Sequence, residues 1–271
     1  MNTETHNDAI DLQKVEEQLV SSTVGQRIIY LDTVPSTMDV AHLYGKEPNS
    51  NGLVVLAEEQ TAGRGRFSRS WVSPKYQNLY ASVLLQSTEP TLKYMSIATS
   101  LAVSKALEKV TSLHPQVNWP NDLTVNGKKI GGILVEQVYS AGEQSYGIIG
   151  IGLNINMDPA DYSEIAESAT SIRAESGRVF SRELILTAIL QSLDIEYQRI
   201  QVGFSPIKEW KDRLVTLNKK ITVRDSYRVH TGEAVDVDDN GNLVMRLDDD
   251  SYITLHSGDV TSHVPWPDST P

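Results

Sequence analysis

"QTAGRGRFSRSWVSP", residues 60–74, crowds Arg64, Arg66 and Arg69 and the glycines Gly63 and Gly65 into one stretch that ends at a proline. Forked guanidinium donors at this density suit three roles: a solvated charged loop, a cradle for a carboxylate or phosphate, or a patch for nucleic acid. Gly63 and Gly65 permit close approach of the backbone to a ligand and positive φ. The preceding "GLVVLAEEQ" (52–60) is an apolar run of buried-strand type, so the arginine loop begins where a strand stops.

Working outward from the loop, "RIIYLD" (27–32) and "LYASVLL" (79–85) read as strands on either side of it. "STMD" (36–39) carries the signature of a helix N-terminus, with Gly45 near the end of that helix. Upstream, Leu12, Val15 and Leu19 have the spacing of a short amphipathic helix. Downstream, 93–110 reads as a helix with Tyr94, Ile97 and Leu101 on one face. "KKIGGILVEQV" (128–138) and "YGIIGIGLNIN" (146–156) read as strands joined by the turn-rich "YSAGEQS". A long helix follows Ser181, with Leu186, Leu190, Leu193, Tyr197 and Ile200 inward. Ser205-Pro206 has the chemistry of a cap and first position for another. Beyond about residue 217 the texture changes to period-two alternation, with a hairpin signal at Asn240-Gly241, which predicts a small β-barrel. The expected organisation is a tail and short helix over 1–26, a main domain over 27–216, a barrel over 217–265 and a tail over 266–271.

Length and composition narrow the function. A chain of 271 residues has room for a main domain and a small one. With 39% hydrophobic and 22% charged residues it is globular rather than disordered. A net charge of −11 argues against a sequence-independent nucleic-acid binder. There is no cysteine, which excludes disulfides and thiolate chemistry. Neither a signal peptide nor a membrane-length apolar run is visible, so the expectation is a cytoplasmic protein without membrane contact. No GxxxxGK[ST] loop or GxSxG elbow occurs, and the six histidines lack metal-ligand spacing. "GIIGIG" (147–152) sits within a strand pattern and is dismissed as a dinucleotide fingerprint.

The second informative stretch is "NWPNDLTVNGKKIGGILVEQ" (118–137). Trp119-Pro120 reads as an extended or turn dipeptide. Asn121 and Asp122 offer an amide and a carboxylate for Mg²⁺ or a ribose. Lys129 stands just ahead of Gly131-Gly132, where missing side chains leave room against a strand, and a lysine there is placed to bridge two anions. A surface hairpin built on Asn126-Gly127 is the bland alternative.

Together "STMD", "EEQTAGRGRFSRSWVSP…NLYASVLL", "NWPNDLTVNGKKIGGILVE" and "GIGLNIN" resemble the biotin–protein ligases in order and spacing, and "SATSIRAESG" (168–177) and the terminal barrel fit as well. The resemblance covers about residues 28–264. It implies an α/β (α+β) fold, with a mixed sheet flanked by helices, like class II tRNA synthetases, and a C-terminal SH3-like barrel. It implies a ligase that uses ATP and Mg²⁺ to form biotinyl-5′-AMP and passes biotin to one lysine of a biotin carboxyl carrier protein or domain.

Carried over by residue, the resemblance gives the biotin site to Ser36, Thr37, Met38, Gln60, Gly63, Arg64, Gly65 and Gly132. Arg66 and Lys129 become the catalytic pair on biotin carboxylate and α-phosphate. Arg69, Trp71, Asn121 and Asn154, with Arg66 and Lys129, serve the adenylate, and Asp122 is the metal candidate. The chain departs from the family at Met38 (usually asparagine), at Asn118 (often lysine) and at Phe67-Ser68, which interrupt a more basic loop. Only 35 residues precede Ser36, which reads as a short form without the winged-helix domain of repressor members. A lipoate-type ligase of related fold and a non-catalytic biotin-sensing module are the alternatives, and monomer or homodimer is left open. The arginine loop is expected to hold little local structure until an anion arrives.

Overall fold

The computed structural model describes residues 9–19, 23–86, 89–139, 145–225 and 228–261. The middle of the turn expected at 139–145, residues 1–8 of the expected N-terminal tail, the end of the expected barrel (262–265) and the tail at 266–271 lie outside them. The strands β1 (Ile28–Val34), β2 (Val54–Gln60), β3 (Leu79–Gln86), β4 (Gln116–Asn118), β5 (Asp122–Val125), β6 (Lys128–Val138) and β7 (Tyr146–Leu153) make one sheet, ordered β1-β2-β3-β7-β6-β5-β4. β1 and β2 run parallel and every other neighbouring pair runs antiparallel, so the sheet is mixed.

Helices cover both faces. α1 is Leu12–Gln18, α2 Thr37–Tyr44, α3 Glu89–Thr111, α4 Ile172–Ser176, α5 Arg182–Gln201 and α6 Ile207–Lys211. On one face α3 and α5 bury Leu101, Leu107, Leu186, Ile189 and Leu190 with Ile149, Ile151 and Leu153 of β7. Each such side chain contributes roughly 1.5–3 kcal/mol on leaving water. On the other face α2 sets Met38 and Ala41 against Leu53, Val55, Leu84 and Ile148. Alternation along β2 and β7 feeds both cores at once, which accounts for the near-continuous apolar runs in the sequence.

Two of the helices start at the serines that the sequence marks, and a third does not. Ser36 accepts from the amide of Met38, and Ser181 accepts from that of Leu184. At α6 the start moves by one residue: Pro206 itself takes the cap position and no side chain caps it. Asn126-Gly127 makes the β5–β6 hairpin with positive φ at both residues, 51° and 79°, as a tight two-residue turn demands.

The C-terminal strands β8 (Lys219–Arg224), β9 (Val229–Val237), β10 (Leu243–Leu247), β11 (Tyr252–Leu255) and β12 (Asp259–Thr261) form an antiparallel five-stranded sheet, ordered β11-β10-β9-β8-β12. Its inward residues Ile221, Val223, Ala234, Leu243 and Met245 join the main core rather than forming a separate one.

Candidate active site

A cavity of ≈ 490 Å³ opens where the N-terminus of α2, the arginine loop, residues 118–122, residues 165–169 and residues 258–261 meet. Its floor is made by absent side chains. Gly132 of β6 pairs with Gly152 of β7, and Leu134 pairs with Gly150, so three glycines share the face that turns away from the main core. A Cβ at 152 would stand 2.5 Å from Trp71 Cε2, one at 132 would stand 3.2 Å from Trp71 Cζ3, and one at 150 would stand 2.8 Å from Met38 Sδ. The bare patch thus receives the Trp71 ring and the Met38 thioether. The Trp71 indole Nε1 is buried there with no hydrogen-bond partner among the described residues.

At one end of the floor, Gln60 Oε1 accepts from the Thr37 amide (2.9 Å) and from Thr37 Oγ1 (3.2 Å), and Gln60 Nε2 donates to Ser73 Oγ (3.3 Å). Thr37 Oγ1 also lies 2.8 Å from Ser82 Oγ. This polar strip hangs from the end of β2 and the first turn of α2. Both elements end here for local reasons: the Ser36 cap starts the helix, and the glycine-rich loop stops the strand.

The three arginines of the loop have three different environments. Arg64 Nη1 donates to Asp39 Oδ1 (2.6 Å), and its Nε and Nη2 reach Glu136 Oε1 (both 3.4 Å). Burial works to lower its pKa, and those two carboxylates more than offset it. Arg69 pairs with the carboxylate of Asp259. Arg66 is the most deeply placed, and its Nη1 donates only to neutral oxygens, Asn121 Oδ1 and the Gly258 carbonyl (each 3.1 Å). Burial pulls the Arg66 pKa below its ordinary value, against the opposing charges of Asp259 and Asp122. Its positive charge is therefore under-compensated, which is the condition that favours an incoming anion.

Lys129 completes the wall. Its Nζ sits 2.7 Å from Asp122 Oδ1 and 5.3 Å from the centre of the Trp71 ring. Its backbone is clamped by the 168–170 segment: its amide donates to Ser168 O (2.9 Å), and its carbonyl accepts from Thr170 (2.8 Å). Asn154, nearly buried, ties the same segment down by donating from Nδ2 to Thr170 O (3.0 Å). Asn121 donates to Ile133 O (2.5 Å) while it accepts from Arg66. Among the described residues no three His, Asp or Glu side chains converge to hold a metal, and the Asp122 carboxylate is occupied by Lys129. The residues present do not make a cage for Mg²⁺.

The family profile "Biotin/lipoate A/B protein ligase family" matches residues 30–154, and "Biotin protein ligase C terminal domain" matches 216–261. The bifunctional ligase/repressor BirA of Bacillus subtilis is 31% identical over 89% of this chain and 76% of its own length. The chain belongs to the biotin protein ligase family. As a member it is a biotin ligase enzyme with the family's mixed α/β fold. The biotin–[acetyl-CoA-carboxylase] ligase of Mycobacterium tuberculosis is 26% identical over 93% of this chain and 95% of its own. The biotin protein ligase of Aquifex aeolicus in complex with biotin and ATP superposes with a TM-score of 0.73 at 25% identity, covering 87% of this chain and 98% of that one.

Within this family frame, all the sequence-derived site residues except Gly63 line the cavity. Gly63 lies just behind it, where a Cβ would meet Trp71 O and Ser73 Oγ at 2.8 Å, so its role is close packing under the loop. The expected positive φ at Gly63 and Gly65 is not found. The left-handed residues are Phe67 (52°) and Ser68 (57°), and Gly65 is extended at −109°. Nor is the loop short of local structure. The Gly65 amide donates to Arg69 O (2.7 Å), the Trp71 amide donates to Gly63 O (2.9 Å), and a 3₁₀ turn spans Arg66–Ser68. Backbone bonds that no side-chain pattern reveals build this small hairpin.

Sequence reasoning missed five contributors. Gly150 and Gly152 belong to the run dismissed as a false nucleotide fingerprint; their two-residue spacing beside Gly132 was the available signal. Asp39 and Glu136, which hold Arg64, sit inside the quoted stretches 36–39 and 118–137 but carry no local mark of that pairing, and Asp259, which holds Arg69, comes from a remote segment. At the departures, Met38 is buried against Gly150, and Asn118 Oδ1 accepts from Thr216 Oγ1 (3.0 Å). No helix among the described residues is long and apolar enough to cross a membrane.

Proposed function

We propose that this chain activates biotin with ATP as biotinyl-5′-AMP and transfers the biotinyl group to one lysine of a biotin carboxyl carrier protein or domain. The observation that carries the reading is that Arg66 and Lys129 line one cavity with a glycine floor, and that Arg66 spends its hydrogen bonds on neutral oxygens only. An extended apolar acid fits along bare strands, and its carboxylate end then reaches two cations. The biotin carboxylate attacks the α-phosphorus, and the bond to the pyrophosphate leaving group breaks. Arg66 and Lys129 neutralise charge that builds on the α-phosphate during attack. Acceptor lysine nitrogen then attacks the acyl carbon, and AMP leaves with the bonding pair.

The polar strip of Thr37 and Gln60 suits the ureido end, Met38 and Leu134 the apolar stem, and Trp71, Arg69, Asn121 and Asn154 the adenylate. Mg²⁺ entering with ATP would neutralise charge on its phosphates, and Asp122, paired with Lys129, is the nearby carboxylate that could approach it. The match of residues 216–261 to a biotin ligase C-terminal domain favours biotin over lipoate.

The test is incubation with biotin, Mg-ATP and a carrier domain, following pyrophosphate and the acceptor mass. The expected result is pyrophosphate release and one added biotinyl group. Lys129→Ala should cut kcat for pyrophosphate release by about 10²–10³, the usual effect of losing one preorganised charge partner in a transition state. Turnover equal to wild type in that variant would remove the assignment.

A further inference from the structure

Besides residues 258–261, which line the cavity, the C-terminal sheet reaches Trp119 of the cavity wall through a turn that does not itself line it. Residues 238–242 join β9 to β10 in a tight turn. Asp238 Oδ1 accepts the amides of Asn240 (2.8 Å) and Asn242 (2.9 Å), and the Gly241 amide donates to Asp238 O (2.9 Å). Gly241 has φ +78°, which favours glycine. The turn seats in a hole beside α3 and α6, where a Cβ at 241 would stand 2.7 Å from Ile97 Cδ1 and 3.6 Å from Trp210 Cζ3. The Tyr94 hydroxyl donates to Asp239 O (3.1 Å).

From this seat the Gly241 carbonyl accepts the indole N–H of Trp119 at 3.0 Å. Trp119 is 1% exposed, and its backbone N–H donates to Thr216 Oγ1 at 2.9 Å. Both of its donors are therefore answered by residues beyond the main sheet. Two and three positions later in the chain stand Asn121, which accepts from Arg66, and Asp122, which pairs with Lys129. Trp119 is thus joined by a short stretch of chain to the residues that hold Arg66 and Lys129.

We propose that the 238–242 turn is a positioning element for adenylate formation, acting through Trp119 on Asn121 and Asp122 and through them on Arg66 and Lys129. The proposal rests on the reading above, in which those cations stabilise phosphoryl attack. Catalytic charge stabilisation depends steeply on donor placement, whereas binding of biotin's apolar stem does not, so the two should separate.

The experiment uses the full chain with three changes: Trp119→Phe, which keeps one aromatic ring and removes the N–H together with the rest of the indole; Gly241→Ala, which pushes on Ile97; and Gly241→Ala with Ile97→Val, which deletes the Cδ1 in the way. For each, kcat and KM for pyrophosphate release, biotin affinity without ATP, and Tm are measured. The expected result is a kcat about tenfold lower in the first two, as a loss of about one hydrogen bond's worth of transition-state stabilisation implies. Biotin affinity should stay within about twofold, and Ile97→Val should restore part of the lost kcat. Wild-type kcat in folded Trp119→Phe and Gly241→Ala overturns the proposal. So does a parallel loss of kcat, biotin affinity and Tm with no restoration by Ile97→Val, which marks the turn as purely structural. Absence of pyrophosphate from the wild-type chain overturns the underlying reading, and the proposal with it; that failure is told apart because it occurs before any substitution.

Discussion

Two arginines, one buried behind the main sheet and one half-buried in the loop above it, are treated in opposite ways. Arg182 and Glu58 are each 2% exposed, and they meet through two bonds, Nη1–Oε2 at 2.6 Å and Nη2–Oε1 at 3.1 Å. Asn78 O accepts a further Arg182 donor (3.1 Å), and Glu58 also receives the Ile10 amide and the Tyr30 hydroxyl. Burial, with the bond to Glu58, pushes the Tyr30 hydroxyl pKa well above its usual value, which keeps that group a donor. Arg66, by contrast, has only neutral acceptors for its hydrogen bonds. A cation buried with its anion is architecture. A cation half-buried beside neutral oxygens keeps its electrostatic capacity for a ligand that comes and goes.

The comparison breaks most clearly at Glu58. Glu58→Gln leaves Arg182 buried without its charge partner, which should cost about 3–5 kcal/mol of stability. Urea unfolding measures it, and biotin affinity of the protein that stays folded should be unchanged. Arg66→Gly should shift the urea midpoint by the equivalent of only about 1 kcal/mol or less, because no buried anion is orphaned. Equal stability losses in the two variants would erase the distinction drawn here.

The second prediction belongs to Arg66 alone. Arg66→Gly should slow pyrophosphate release by about 10²-fold and let biotinyl-AMP escape, since one clamp on its phosphate is gone. Labelling of lysines on a bystander protein, read by streptavidin blot, should rise above wild type. No increase would mean that the guanidinium does not retain the intermediate.

The smallest effect is expected where ion pairs face water. Glu209 is hydrogen-bonded by Arg199 and by Lys105, and these hold its pKa down at about 2 from 4.5. A depressed carboxyl pKa stabilises the folded state above the unfolded value, and that stability is lost as pH falls from about 4.5 toward 2. The Glu209 side chain is 36% exposed, so solvent screening reduces the gain to about 1 kcal/mol or less. Glu209→Gln should therefore flatten the fall of Tm between about pH 5 and pH 2 by only a few degrees. A Tm profile identical to wild type would show that the cluster contributes nothing.

Most elements could be read in the chain because their causes are local. Ser36 and Ser181 cap helices within a few residues, Asn126-Gly127 and Asn240-Gly241 turn hairpins at the expected places, and alternation marks the C-terminal strands. The cavity's residues were legible for a different reason: two motifs too specific to arise separately. Other features had no local cause. Backbone bonds across the loop assign the left-handed conformations to Phe67 and Ser68, although Gly63 and Gly65 bear them more easily. Glycines at 150 and 152 matter only once strand pairing sets them beside Gly132.

By itself the sequence determined most of the helices and strands, because capping, turn and alternation effects act over a few bonds, although α3 begins at Glu89 rather than 93, β7 ends at Leu153 rather than 156, and β4 and α4 were not foreseen. Which of the three arginines has no carboxylate among its hydrogen-bond partners was decided only by the tertiary structure. Arg64 and Arg69 are satisfied by Asp39, Glu136 and Asp259, residues up to 190 positions away, and Arg66 is left with Asn121 and a carbonyl. Charge compensation depends on distance in space, and chain separation carries no information about it.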